Sequence, residues 1–229
     1  MGFFMLKLCI FDLDGTTFDT QPDLMNAMNG AIEKYGYPPC SVEAFRDAVS
    51  GGFQQTLRKL LPKDFDREDI FPDICETFRS SYAEHYMDNT YPYEGVEEAL
   101  RTLRGMGIRL AVFSNKIHER TVDICNGLLP DIKFDYILGA RDGQPLKPDP
   151  AMALYICRTL GAAPSETLFI GDSDVDVETA KNAGIRCIGC SWGYRDKSVL
   201  EQAGADVIID RPDQLVPSIK KLGGYDDGV

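Results

Sequence analysis

The chain has 229 residues, 44% of them hydrophobic, enough to bury one full core and a smaller satellite domain. A formal net charge of -12 with no basic run argues against sequence-independent binding to nucleic acid or to an anionic membrane, because both need a surplus of Lys and Arg. Seven cysteines, odd in number and scattered through apolar segments, do not make a secreted disulfide framework.

In chain order, the first element is a strand from Leu6 to Phe11. The opening stretch lacks a cationic start, is too short to span a bilayer and runs directly into Asp12-Leu13-Asp14, so it reads as core. Gly2 is not a myristoylation signal, because Leu6 stands where that motif wants Ser or Thr. The reading is a soluble, cytoplasmic protein. About ninety residues of helical pattern follow. The first helix starts near Pro22 and carries Met25, Met28, Ile32 and Tyr35 on one stripe until Gly36 ends it. Further helices are predicted at Val42 to Val49, Phe53 to Leu61 and Glu68 to Tyr86, with a turn at Gly51-Gly52. Tyr91-Pro92-Tyr93 returns the chain to the core.

From residue 94 onward, apolar runs alternate with helical segments. The runs are Ile108 to Phe113, Phe134 to Leu138, Thr167 to Ile170, Cys187 to Gly189 and Val207 to Ile209. Most lack polar alternation, as strands covered on both faces do. The fold class is therefore α/β: a Rossmann-like parallel sheet with helices on both faces and an inserted helical domain. The core is expected at residues 1–17 and 92–229, the insertion at 18–91. Cys187 and Cys190 have the spacing of a zinc half-site or redox pair, but no second pair lies nearby, and they read as strand packing. The tail from Gly223 to Val229 reads as frayed.

Asp12 and Asp14 follow the first strand at a spacing of two, so an extended backbone sends both carboxylates to one side of the strand end. Ligands of open parallel sheets bind outside those ends. Gly15 permits a sharp turn directly after them. Alone, this is equally an acidic strand end and a turn. Later strand ends add Ser114-Asn115, Lys147 before Pro148-Asp149-Pro150, and Gly171-Asp172-Ser173-Asp174-Val175-Asp176. Each has a structural reading as cap, solvated charge or turn; together they supply nucleophile, hydroxyl, cation and metal ligands in order. The acidic run is not an EF-hand, because Val177 and Ala183 replace the required Gly and Glu. His85 and His118 are too far apart in sequence to suggest a metal site and read as surface or cap residues.

Asp12-Leu13-Asp14-Gly15-Thr16, Ser114, Lys147 and Gly171-Asp172 with Asp176 resemble the four ordered motifs of the haloacid dehalogenase superfamily, over essentially the whole chain. The insertion resembles the mobile helical cap of its subgroup containing phosphoglycolate phosphatase and beta-phosphoglucomutase. Asp19 to Leu24, Pro92 to Leu103 and Ser114-Asn115-Lys116 are similar to phosphoglycolate phosphatases, although that group often has Val-Gly-x-Gly where this chain reads Val49-Ser50-Gly51-Gly52. The resemblance implies a magnesium-dependent phosphatase acting on a small phosphorylated metabolite through an aspartyl phosphate, as a monomer or homodimer. It makes Asp12 the nucleophile and Asp14 the general acid and base. Lys147 and Ser114 stabilise the transferring group, with Gly15, Thr16 and Asn115 also on the substrate. Asp12, the Asp14 carbonyl, Asp172 and, through water, Asp176 would hold Mg2+. Arg46, Gly51 and Gly52 are assigned to the leaving group. A phosphosugar mutase, a phosphatase or pyrophosphatase of another metabolite, and a non-catalytic phosphometabolite binder stay open.

Overall fold

Six apolar runs become six parallel strands because each finds a neighbour on its edge and cover on its faces. The structure, a computed structural model, describes residues 5–49 and 52–224. Gly51, assigned above to the leaving group, Gly2 and the tail from 225 onward lie outside them. The chain divides into two compact units, Met1–Phe18 with Pro92–Val229, and Asp19–Tyr91.

In the α/β unit, the strands are β1 (Leu8–Phe11), β4 (Arg109–Ile117), β5 (Tyr136–Ala140), β6 (Thr167–Gly171), β7 (Arg186–Cys190) and β8 (Val207–Ile209), in the order β5-β4-β1-β6-β7-β8. The two-residue strands β2 (Phe18–Asp19) and β3 (Tyr91–Pro92) pair with each other where the chain passes between the units. They are too short to leave a periodic signal. The helices of this unit are α5 (Val96–Gly105), α6 (His118–Leu128), α7 (Ala151–Thr159), α8 (Asp174–Ala183), α9 (Lys197–Ala203) and α10 (Leu215–Gly223).

The topology sets the layers. The chain leaves β1 towards β4 and β5, then crosses back to β6, β7 and β8, and right-handed crossovers place the helices of the two runs on opposite faces. One face is a single cluster in which Leu8, Ile10, Ala111, Phe113, Leu138 and Phe169 of the sheet meet Ile156 of α7, Val177 and Ala180 of α8 and Leu200 of α9. On the other face α5 packs on β4 and α10 packs on α5. The direction reverses between β1 and β6, which run in register from Leu8 beside Thr167 to Phe11 beside Ile170. Such a switch point opens a crevice at the carboxyl ends of its strands. Cys187 and Cys190 both lie buried in β7, three residues apart, so their side chains leave opposite faces of the strand. Burial holds both thiols well above their ordinary pKa.

The helical unit contains α1 (Gln21–Glu33), α2 (Val42–Ala48), α3 (Phe53–Leu60) and α4 (Phe71–His85). Pro22 sits in the first turn of α1, and the stripe expected there is present, with Met28 and Ile32 buried and Met25 and Tyr35 packed at its edge. The last helix begins later than the pattern suggested, because Pro72 occupies its first turn and Glu68 instead takes a two-pronged ion pair from Arg58. Across from α1, α4 contributes Ile74, Cys75, Phe78 and Tyr82 to one core. No helix among the described residues is long and apolar enough to cross a membrane.

One buried charge ties this unit together. Asp23 on α1 accepts from the Asn89 amide at 3.0 and 2.9 Å, from Asn89 Nδ2 at 3.0 Å and from Thr90 Oγ1 at 2.8 Å. Asp23→Ala removes the charged acceptor of all these bonds, and hydrogen bonds to charged groups are worth about 1.5–3 kcal/mol, while Thr90 Oγ1 keeps the Tyr86 carbonyl at 3.0 Å and the exposed Asn89 can turn to water. Urea denaturation should show a loss of about 2–3 kcal/mol; a change within about 0.5 kcal/mol would refute this reading.

Candidate active site

Asp12 continues β1, its amide donating to the carbonyl of Ile170 on β6 at 2.8 Å, so the carboxylate leaves the sheet at the switch point. The next residues double back at once. Gly15 adopts φ +84 and donates to the Phe18 carbonyl, while Thr17 and Phe18 donate to that of Leu13. Thr17 Oγ1 donates to the Asp12 carbonyl at 2.7 Å, locking the base of the turn.

Lys147 is drawn to this strand end by a neighbour. The Asn115 side chain accepts from the Lys147 amide at 2.8 Å and donates to its carbonyl at 3.0 Å. The loop so held points the ammonium inward, 2.5 Å from Asp12 Oδ1 and 2.7 Å from Asp176 Oδ1. All three side chains are buried. Burial alone would lower the Lys147 pKa, but the two carboxylates outweigh it and raise the group above its ordinary value. The ammonium also lies 5.7 and 5.8 Å from the ring centroids of Phe113 and Phe169, within cation–π range.

Asp176 is fixed as part of a helix start. Ser173 caps α8 by accepting from the Asp176 amide, and Asp176 Oδ2 accepts in return from the Ser173 amide at 3.1 Å and hydroxyl at 2.6 Å. This capping box leaves Oδ1 for Lys147. Asp172, at the end of β6, accepts from Thr16 Oγ1 at 3.2 Å and from the Tyr194 amide at 2.7 Å. Gly15, Gly171 and Gly193 surround these acids so closely that a Cβ on Gly15 or Gly193 would collide with Asp172, and one on Gly171 with Asp176. Trp192 closes the far side, its Nε1 donating to the Thr16 carbonyl at 3.2 Å.

Carboxylate oxygens of Asp12, Asp172 and Asp176 lie within 4.8 Å of one another. An all-oxygen, anionic donor set suits a hard divalent cation, and the three acids against one ammonium carry a formal surplus of negative charge that such a cation balances. The titration behaviour agrees. Burial raises Asp12 well above the ordinary carboxylate range; Lys147 opposes this, and the neighbouring acids add to it. Asp172 is pushed up to about 7 by burial and then by Asp176.

The structure thus brings together Asp12, Asp14, Gly15, Thr16, Ser114, Asn115, Lys147, Asp172 and Asp176. Of these, the Asn115 amide holds the Lys147 main chain, and the Gly15 amide donates inside its own turn. Ser114 is buried beyond the predicted end of its strand, since β4 runs on to Ile117, and its Oγ accepts from the Lys116 amide at 3.1 Å. Arg46 and Gly52 belong to the helical unit. Arg46 is exposed on α2 and donates to Gln21 Oε1 at 2.9 Å, and Gly52 precedes α3 at φ +99. Sequence reasoning gave no role to Gly193, Trp192 or Lys116. Lys116 Nζ lies 2.7 Å from Asp14 Oδ1, and its signal was the same spacing of two, from Ser114, that joins Asp12 to Asp14.

Buried carboxylates around the Lys147 ammonium at the switch point of a parallel sheet form a cluster that could hold a divalent cation. The haloacid dehalogenase-like hydrolase profile matches residues 9–190, and the chain belongs to that family. A phosphoglycolate phosphatase of Pseudomonas putida is 36% identical over 219 residues, covering 92% of this chain and 79% of the relative. One from Pseudomonas syringae pv. tomato is 32% identical over 220 residues, with 94% and 80% covered. Among solved structures, a Lactobacillus delbrueckii subsp. bulgaricus protein assigned as a phosphoglycolate phosphatase superposes with a TM-score of 0.86 at 30% identity, covering 94% of this chain and 98% of that one. These relatives place the chain among phosphoric monoester hydrolases.

Because folding raises the Asp172 pKa from 3.8 to about 7, the proton is held more tightly in the folded state. The stability it contributes is full below about pH 4 and is lost as pH rises through 7. A divalent cation competes with that proton. Millimolar magnesium should therefore raise the melting temperature more at about pH 8 than at about pH 6; a magnesium effect that is absent or equal at both pH values would contradict the site.

Proposed function

We propose that this chain is a magnesium-dependent phosphatase of small phosphorylated metabolites, 2-phosphoglycolate foremost, working through an aspartyl phosphate on Asp12. The observation that carries the reading is the Lys147 ammonium bridging Asp12 and Asp176 beside Asp172 in a buried pocket. A buried carboxylate held by a cation, at a point where neighbouring acids gather a metal, is what attack on a phosphate dianion requires.

An Asp12 oxygen forms a bond to phosphorus as the bond from phosphorus to the ester oxygen breaks, and Asp14 gives its proton to the departing oxygen. Asp14 then takes a proton from a water molecule whose oxygen attacks phosphorus, breaking the bond to Asp12 and returning its carboxylate. Lys147 orients Asp12 and offsets charge that spreads over the phosphoryl oxygens; Ser114 donates to one of them. Asp12, Asp172, Asp176 and the Asp14 carbonyl would hold the metal, which when bound screens the repulsion between nucleophile and phosphate.

The helical unit, residues 18–91 in this scheme, is proposed as a cap that excludes water during turnover, with Arg46, Gly51 and Gly52 on the leaving group. A cytoplasmic enzyme, monomeric or homodimeric, fits the anionic composition and a soluble metabolite as substrate; nucleic acid does not fit it.

The test is phosphate release from a panel of small esters, including 2-phosphoglycolate and beta-glucose 1-phosphate, with and without magnesium. Release is expected only with magnesium, and Asp12→Asn should abolish it. Asp14→Asn should slow it about 10²–10⁴-fold, the usual worth of a general acid. No release from any ester would sink the phosphatase reading, isomerisation without release would favour a mutase, and undiminished turnover by Asp12→Asn would remove Asp12 as nucleophile.

A further inference from the structure

Lys116 is a second withdrawn cation, distinct from Lys147. Its side chain is only 6% exposed, its ammonium is 2.7 Å from Asp14 Oδ1, and Asp14 is 21% exposed. The backbone that carries it is held from both sides. Its amide donates to Ser114 Oγ at 3.1 Å, and its carbonyl accepts from Thr121 Oγ1 at 3.2 Å. Gly139 packs so tightly against that carbonyl that a Cβ there would collide with it. The ammonium is thus placed by the strand end, not by a flexible loop.

We infer that Lys116 is the specificity residue of this site, selecting phosphate esters that carry a carboxylate one methylene away from the ester oxygen. The inference rests on the phosphatase reading above, in which Asp14 protonates the leaving oxygen. To do so, Asp14 must come within about 2.6–3.2 Å of that oxygen. Lys116 stands one hydrogen bond beyond Asp14, so a carboxylate on the carbon next to the ester oxygen falls within reach of its ammonium. An uncharged hydroxyl in the same place accepts a weaker bond from the ammonium, and a carboxylate several carbons further out passes beyond it.

The role differs from merely positioning Asp14. A residue that only positions the acid would affect all esters alike, whereas a specificity residue changes the ratio between two esters of equal length. The experiment compares kcat/KM for 2-phosphoglycolate and 2-hydroxyethyl phosphate, with magnesium, in wild type, Lys116→Met and Lys116→Arg. Wild type should favour 2-phosphoglycolate by at least about tenfold, the worth of one charge-assisted hydrogen bond. Lys116→Met should erase most of that preference, mainly through KM for 2-phosphoglycolate, and Lys116→Arg should restore part of it. An equal loss on both esters in Lys116→Met would overturn the inference and leave Lys116 as a positioning residue. Should neither variant fold, a wild type that hydrolyses both esters equally would overturn it alone, and a wild type that hydrolyses neither, nor any other ester, would instead sink the phosphatase reading.

Discussion

A buried ammonium held between two buried carboxylates is the constraint on which the rest of the site depends. Charges leave water only at a cost of several kcal/mol each unless they are paired and hydrogen-bonded. Lys147, Asp12 and Asp176 meet that condition through one another, at 2.5 and 2.7 Å. Asp172 meets it through Thr16 and the Tyr194 amide. Burial first, and the neighbouring acids after it, hold the Asp12 and Asp172 carboxyls above the ordinary carboxylate range. Three buried acids gathered in this way make a donor set that could hold a hard divalent cation.

The fold keeps that arrangement rigid from several directions. Asp12 and Asp172 stand at the ends of adjacent parallel strands, Asp176 is locked by the capping box that starts α8, and Lys147 is held by the Asn115 amide from β4. Side chains carried by strands and helices and locked by hydrogen bonds are held more precisely than side chains on free loops, as closely spaced charges require. Close approach also requires missing side chains. Gly15 and Gly193 admit Asp172, and Gly171 admits Asp176.

Much of this was legible in the sequence because it rests on local rules. Apolar runs gave all six strands of the sheet, and Asp12 and Asp172 directly follow the ends of β1 and β6, where parallel sheets bind ligands. The start of α4 was misplaced by three residues because periodicity extends through Glu68 to Ile70, while Pro72 in the first turn decides where the helix begins. The hold of Asn115 on the Lys147 main chain is not legible in sequence, because it appears only when the loop bearing Lys147 returns to β4. Lys116 and Gly193 were passed over for a related reason. The contact of Lys116 with Asp14 spans 102 positions, and Gly193 lies against Asp172 and the Gly15 carbonyl, contacts that only the folded chain shows.

The central claim is that the phosphoryl group passes through Asp12. It is tested most directly by mixing the magnesium-loaded protein with an ester labelled in its phosphoryl group, quenching in acid within milliseconds and mapping the label by proteolysis. Hydroxylamine-labile label should appear on the peptide containing Asp12 before free phosphate is released. Turnover with no labelled protein at any time, or label on a peptide lacking Asp12, would contradict it.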